Sequence, residues 1–383
     1  MFARVLNEVP LFGKQFNKPI PGTEAILDSV KKIPGRDEKI NYIFQQVKQQ
    51  VKWDDQQTFY AGDIKEAWKE RSGNSAEINL IILNLLRKSG ISCSPLLIST
   101  RSNGQIDENF FSLSQFNGVD VLVRDTTVNY ILDGTRKYQS YKTPPDNILN
   151  RNVFNVDTAA QASWLFVSDT RPLLRSVLSV DARLSEEGKM SGKAIIVLYD
   201  HSKVQRMMDK NKTEEEEQQE EKEFLQKDFA ELRIDSLVQE NADDDLQPLT
   251  EKFNFSFQPS VSDKFLFLDP LFLSSFRKNP FTDSIRHSSI DFSSMQYLKT
   301  SVLITLPDSY EIDHLPQNVR LRMSDSSILF ERRIYQEQKK ILFVNTMEVL
   351  YPLFSKEDYP GIKDFFNRLY AMVTEQIVLK RKN

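Results

Sequence analysis

An α+β unit followed by a β-sandwich with two helices is the fold class that this chain predicts. Three observations predict it. Apolar segments with helical spacing are concentrated before Gly90 and after Tyr359, segments of β type fill most of the rest, and 26 of the 383 residues are Phe, which suits large β cores. The length is enough for two or three domains.

Residues 1–22 read as a lead-in, broken by Pro10, Pro19 and Pro21, and the first helix is expected near Thr23–Lys32. Ile40, Ile43, Phe44, Val47 and Val51 then form one helical face, with Asp37 as the expected N-cap and Trp53 as the end. Asp54–Asp63 is a polar loop. Ser75 is expected to open a second helix, Ala76–Ser89, closed by Gly90 and apolar nearly all round (Ile78, Leu80, Ile81, Ile82, Leu83, Leu85 and Leu86), as a helix central to a domain would be.

After Gly90 the periodicity changes. Pro95–Ser99, Phe116–Val123 and Asn129–Asp133 read as strands, with a turn at Asp125–Val128, so residues 23–155 are expected to be one domain. The second domain is expected over 160–383. Its first strands are Arg175–Leu184 and Lys193–Tyr199, and an acidic helix follows near 213–233. Further strands are expected at Lys252–Phe257, Lys264–Leu268, Lys299–Leu306, Val319–Met323, Ser327–Arg333 and Lys340–Leu350, before a closing helix over Tyr359–Leu379.

Composition removes several function classes. The net charge of −4 provides no positive field for nucleic acid. One Cys excludes an intramolecular disulfide framework and a Cys-only metal site, and 3 His argue against a histidine metal centre; no metal or cofactor is expected. The acidic groups Asp54, Asp55, Asp63 and Asp243–Asp245 lack EF-hand spacing. Gly is scarce, 12 residues or about 3% against a usual ~7%, and neither GxGxxG nor GxxxxGK[ST] occurs. No apolar run reaches the roughly 18 residues of a membrane span, and residues 1–22 carry no signal-peptide pattern.

One pattern carries a resemblance. Gly73-Asn74-Ser75-Ala76-Glu77 precedes the buried helix; Gln115-Phe116-Asn117-Gly118-Val119 and Leu132-Asp133-Gly134-Thr135 follow on two strands. In order and spacing these resemble the core of transglutaminase-like proteins, relatives of the papain-type cysteine hydrolases. The whole chain resembles bacterial proteins that join such a domain to a C-terminal β-rich domain of unknown function, here through Trp164, Asn279-Pro280-Phe281, Arg286, Ile290-Asp291-Phe292, Leu306-Pro307, Leu315-Pro316 and Tyr359. The resemblance suggests the bacterial cell envelope, periplasm included. Such proteins usually carry another β domain in front, so the chain is expected to be part of a longer protein.

The same resemblance puts Ser75 where the nucleophilic Cys is expected, Gly118 where the His is expected, and Asp133 at the orienting carboxylate. Acyl transfer needs a nucleophile and a base acting together, and residues 1–200 contain no His. Ser75 therefore reads first as a helix N-cap, Asp133 as a strand-end residue bonded to its own turn, and Cys93 as a small hydrophobe. Lys65 and Lys69, the nearest bases for a Ser–Lys pair, read as solvated positions beside Trp68.

The expectation is a catalytically inactive transglutaminase-like protein. It would bind peptide or glycan in the degenerate cleft, through Trp53, Tyr60, Trp68, Asn74, Ser75 and Asn117. The alternatives are a residual hydrolase or acyl transferase using Ser75 with an unconventional base, and a protein–protein assembly module acting through the β-sandwich.

Overall fold

The computed structural model describes residues 6–110, 112–124, 128–156, 163–208, 232–273 and 279–382. The chain forms two compact units, Met1–Asp169 and Thr170–Asn383.

The first unit is α+β. Its elements are α1 (Glu24–Lys32), α2 (Arg36–Gln50), β1 (Lys52–Trp53), α3 (Ile64–Glu70), β2 (Ser72–Gly73), α4 (Ser75–Lys88), β3 (Cys93–Ile98), β4 (Gly118–Val123), β5 (Tyr130–Leu132), β6 (Arg151–Asn155) and β7 (Ser163–Val167). β5-β4-β3-β6-β7 form one antiparallel sheet. Helix α4 packs against α2, α3, β3 and β4, which is why all its sides are apolar and every residue from Ile78 to Leu86 is buried. It ends where Gly90 takes a positive φ of 75°, a conformation that costs Gly little.

Several boundaries differ from expectation. Helix α2 starts after Gly35, so Asp37 lies inside its first turn and is not the cap. It stops at Gln50, because Lys52 and Trp53 pair in parallel with Ser72 and Gly73. The lead-in is core: Leu6, Phe12, Phe16 and Ile20 are buried, Phe12 and Phe16 meet edge to face, and the buried Asn84 amide donates to the Phe16 and Lys18 carbonyls. β6 and β7 extend the sheet beyond 155, so Trp164 and its strand belong to the first unit. Residues 125–127 of the expected turn lie outside the described residues.

The second unit is β-rich. Its elements are β8 (Leu174–Leu184), β9 (Met190–Tyr199), α5 (Asp200–Met207), β10 (Arg233–Glu240), β11 (Leu249–Phe257), β12 (Ser260–Ser262), β13 (Phe265–Leu268), β14 (Ile290–Asp291), β15 (Gln296–Thr305), β16 (Tyr310–His314), β17 (Val319–Arg322), β18 (Ile328–Glu337), β19 (Lys340–Val349), β20 (Leu353–Phe354), α6 (Tyr359–Val373) and β21 (Ile377–Arg381).

Among the described residues, eight strands make one sheet in the order β10-β11-β9-β8-β15-β19-β18-β17, and a smaller sheet runs β12-β13-β21-β16. Leu266, Leu268, Ile377 and Leu379 of the small sheet join Leu178, Val180, Phe253, Phe255, Val302 and Phe343 of the large one in a single sandwich core. Ile328, Phe330, Met347 and Val349 of the large sheet share a second core with Ile362, Phe365, Phe366 and Leu369 of α6. The expected closing helix is therefore too long: it stops at Val373, and Ile377–Arg381 is a strand paired with β13 and β16. Helix α5 falls where no element was expected, and the expected helix near 213–233 lies outside the described residues over 213–231, with Arg233 already in β10.

No helix among the described residues is long and apolar enough to cross a membrane.

Candidate functional site: the start of the central helix

Asn74, not Ser75, caps α4. Its side chain accepts from Glu77 N–H at 2.9 Å, and Glu77 Oε2 accepts from Asn74 N–H at 2.9 Å, completing a capping box. The spacing fails when counted from Ser75 and holds when counted from Asn74. Glu77 also uses its other oxygen, which accepts from Gly62 N–H and Asp63 N–H, both at 3.0 Å. One carboxylate thus joins the start of α4 to the end of the 54–63 loop.

Ser75 is the first residue of the helix and is only 1% exposed. Its hydroxyl donates to the Thr58 carbonyl at 2.8 Å and accepts from Thr58 N–H at 2.9 Å. Its own N–H donates to the Gln56 carbonyl at 3.0 Å, and that same oxygen accepts from Trp53 Nε1 at 3.2 Å. Two N–H donors converging on one carbonyl oxygen is the arrangement with which acyl-transfer sites stabilise charge. Here the oxygen is a backbone carbonyl of the chain itself.

Gly118 lies beside the same loop. A Cβ there would lie 2.4 Å from Gln57 Nε2 and 2.9 Å from the Ile98 side chain. The space beside Gly118 is filled by the Gln57 amide, and no imidazole is present in the first unit to activate Ser75.

The remaining candidates are spread around this point. Asn117 is committed to Thr100, accepting its N–H at 2.9 Å and donating to its hydroxyl at 2.8 Å. Tyr60 is exposed and tilted against the buried Phe59. Trp68 is half-buried with its indole nitrogen near Gly22, on the α3 side. Lys65 and Lys69 are exposed and lie near Glu66. Cys93 is half-buried, and burial pushes its thiol up to about 11 against the opposing charge of Arg87. It is no thiolate at neutral pH.

A second polar cluster surrounds Asp133. Asp133 Oδ1 accepts from the N–H and hydroxyl of Thr135, and Arg136 sits 3.4 Å from its Oδ2. Asn79 donates to the Val119 carbonyl and to Asp133 Oδ1, and accepts from Gly134 N–H at 2.7 Å. Asp120, 1% exposed, faces this group with its Oδ2 unbonded among the described residues. Burial, with the nearby Asp133 charge, raises its carboxyl well above the ordinary 3.8, and Arg136 only partly opposes this. Asp120 and Asn79 are not among the candidates read from the sequence, although a charged residue in Val119–Val123 and an amide in an apolar helix are visible signals.

The sign of the Asp120 effect follows. Its folded pKa is raised, so its contribution to stability is complete below the ordinary Asp range and is lost as pH rises through the folded value. The expected result is a melting temperature that declines as pH rises above the ordinary Asp range, more steeply in the wild type than in Asp120→Asn. Melting curves over pH 5–9 check this; equal slopes would remove Asp120 as the cause.

The family described as "Domain of Unknown Function with solved-structure structure (DUF3858)" matches residues 263–379, within the second unit. A crystal structure of a "putative protease" from Parabacteroides distasonis ATCC 8503 is similar with a TM-score of 0.56 and 12% identity, over 96% of this chain and 57% of that one. The chain thus spans little more than half the length of that relative. No curated protein sequence matches. The likeness to that structure is one of fold, and in this chain an α+β unit precedes a β-rich one that carries the family match.

Proposed function

We propose that this chain is a catalytically inactive transglutaminase-like protein that acts as a binding or scaffolding module. The observation that carries the reading is the Ser75 hydroxyl, held in both directions by the main chain of Thr58. Gly118 stands where a base would be needed. A serine without a base is a poor nucleophile, and losing two cooperating groups removes the unit. What the cleft retains is an arrangement of donors suited to the carbonyl groups of a peptide or the hydroxyls of a glycan.

A specific observation favours a second reading, assembly through the β-sandwich. On the large sheet, Leu303, Leu342 and Tyr335 stand side by side in register, on the face opposite the core residues Ile304, Ile341 and Phe343. Tyr335 is 53% exposed.

A thermal-shift screen with cell-wall peptides, unstructured polypeptides and oligosaccharides separates the two. A ligand at 100 times its dissociation constant adds about 2.7 kcal/mol. A shift lost in Ser75→Ala and kept in Leu342→Glu supports the cleft. The reverse pattern supports the sheet face. Conversion of any peptide or glycan to product would overturn the inactive reading.

A further inference from the structure

We infer that residues 54–58 are an autoinhibitory strap: the cleft is a peptide main-chain site occupied by the protein's own chain, and it accepts a partner's extended segment only when the strap leaves. The inference rests on the proposed binding role of the cleft and adds its ligand class and its regulation.

The contacts define the ligand. The site engages the carbonyl of one residue, Gln56, through two N–H donors, and both the N–H and the carbonyl of the residue two places on, Thr58, through one hydroxyl. These are all main-chain groups. The intervening side chain, Gln57, lies over Gly118, where any Cβ would collide with it. An extended peptide of any sequence offers the same carbonyl and N–H pattern, so what the site reads is backbone.

The strap is built to leave. Asp54, Asp55, Gln56 and Gln57 are consecutive exposed residues covering a buried serine. No buried apolar side chain anchors them, and the first such anchor is Phe59, packed near Phe12. At the other end β1 is only two residues long. Asp54 N–H donates to the Gly73 carbonyl at 3.1 Å besides the bonds at Gln56 and Thr58, but a surface segment held by hydrogen bonds without a buried apolar side chain belongs to the low-stability end of a protein. While it is bound, the apparent affinity for a competing peptide falls by the fraction of molecules in the open state.

The test uses the full chain and the probe acetyl-Asp-Gln-Gln-Thr-Phe-amide, which reproduces residues 55–59. Hydrogen exchange of the wild type is expected to show the Thr58 and Ser75 amides exchanging at least a hundredfold faster than those of Leu80–Leu85. Thr58→Pro, which removes the bonded N–H, is expected to bind the probe at least tenfold more tightly than the wild type. Adding Ser75→Ala to that variant is expected to abolish the gain. If the Thr58 and Ser75 amides exchange together with the α4 interior, the strap does not open and the inference fails, whether or not the proline variant folds. No gain in a folded Thr58→Pro protein overturns it equally. Cleavage of the probe would instead overturn the inactive reading, so the two failures are distinguishable.

Discussion

Arg332→Ala is expected to destabilise the second unit by about 3 kcal/mol, because it removes a fully buried guanidinium that donates to two carbonyls and a carboxylate and leaves its space empty. Arg332 is 1% exposed on β18. Its guanidinium donates to the Gln317 carbonyl at 2.8 Å, the Met372 carbonyl at 2.6 Å and Glu375 Oε2 at 2.6 Å. Met372 and Glu375 lie at and just past the end of α6, so one side chain fastens that helix terminus to the sheet. A cation near a helix C-terminus also suits the helix dipole. The ring of Phe343 lies 5.8 Å from the guanidinium, completing its surroundings. Arg333, next along the strand, is exposed, and Arg333→Ala is expected to leave the urea midpoint unchanged. Urea unfolding of both variants checks the contrast, and equal midpoints would refute it.

Grafting the missing chemistry is expected to fail. Ser75→Cys with Gly118→His restores both residue types, yet the protein should form no acyl-enzyme with an activated ester at neutral pH. The imidazole would have to enter space held by Gln57 and Ile98. Overpacking of this kind costs typically 1–3 kcal/mol, so the double variant should also melt earlier. The thiol would still lie beneath the strap, against Thr58. Deleting the Gln57 side chain in the grafted background, by Gln57→Gly, is the change expected to permit any adduct at all. Intact mass spectrometry reads both. A rapid, stoichiometric adduct on the double variant alone would show that the cleft is open.

The α4 helix and strands β3 to β5 were legible because an all-apolar helix and a change of period are strong local signals. Long-range pairing was not. Arg151–Asn155 and Ser163–Val167 are short and mixed in polarity, and they become strands by completing a sheet begun at Cys93. The closing helix was overextended because Ile377 continues the helical spacing of α6, while the β13 edge captures Ile377–Arg381 instead. At the site, Ser75, Gly118 and Asp133 entered only through the family resemblance, and the structure gives the Ser75 hydroxyl and the Asp133 carboxylate local partners within the chain. The capping box was missed by one residue, since Ser and Asn are both good caps and only geometry chooses between them. The strap was not legible at all. Asp54–Asp63 has the composition of a solvated loop, and nothing in Gln56, Gln57 or Thr58 announces that their backbone fills a cleft.

As proposed, Ser75 is a structural hydroxyl covered by its own chain. Fluorophosphonate labelling of the purified wild-type protein, read by intact mass beside Ser75→Ala, tests it most directly. The expected result is no adduct on Ser75 at neutral pH. A single adduct on the wild type that disappears in Ser75→Ala would contradict it, and would return Ser75 to the role of nucleophile.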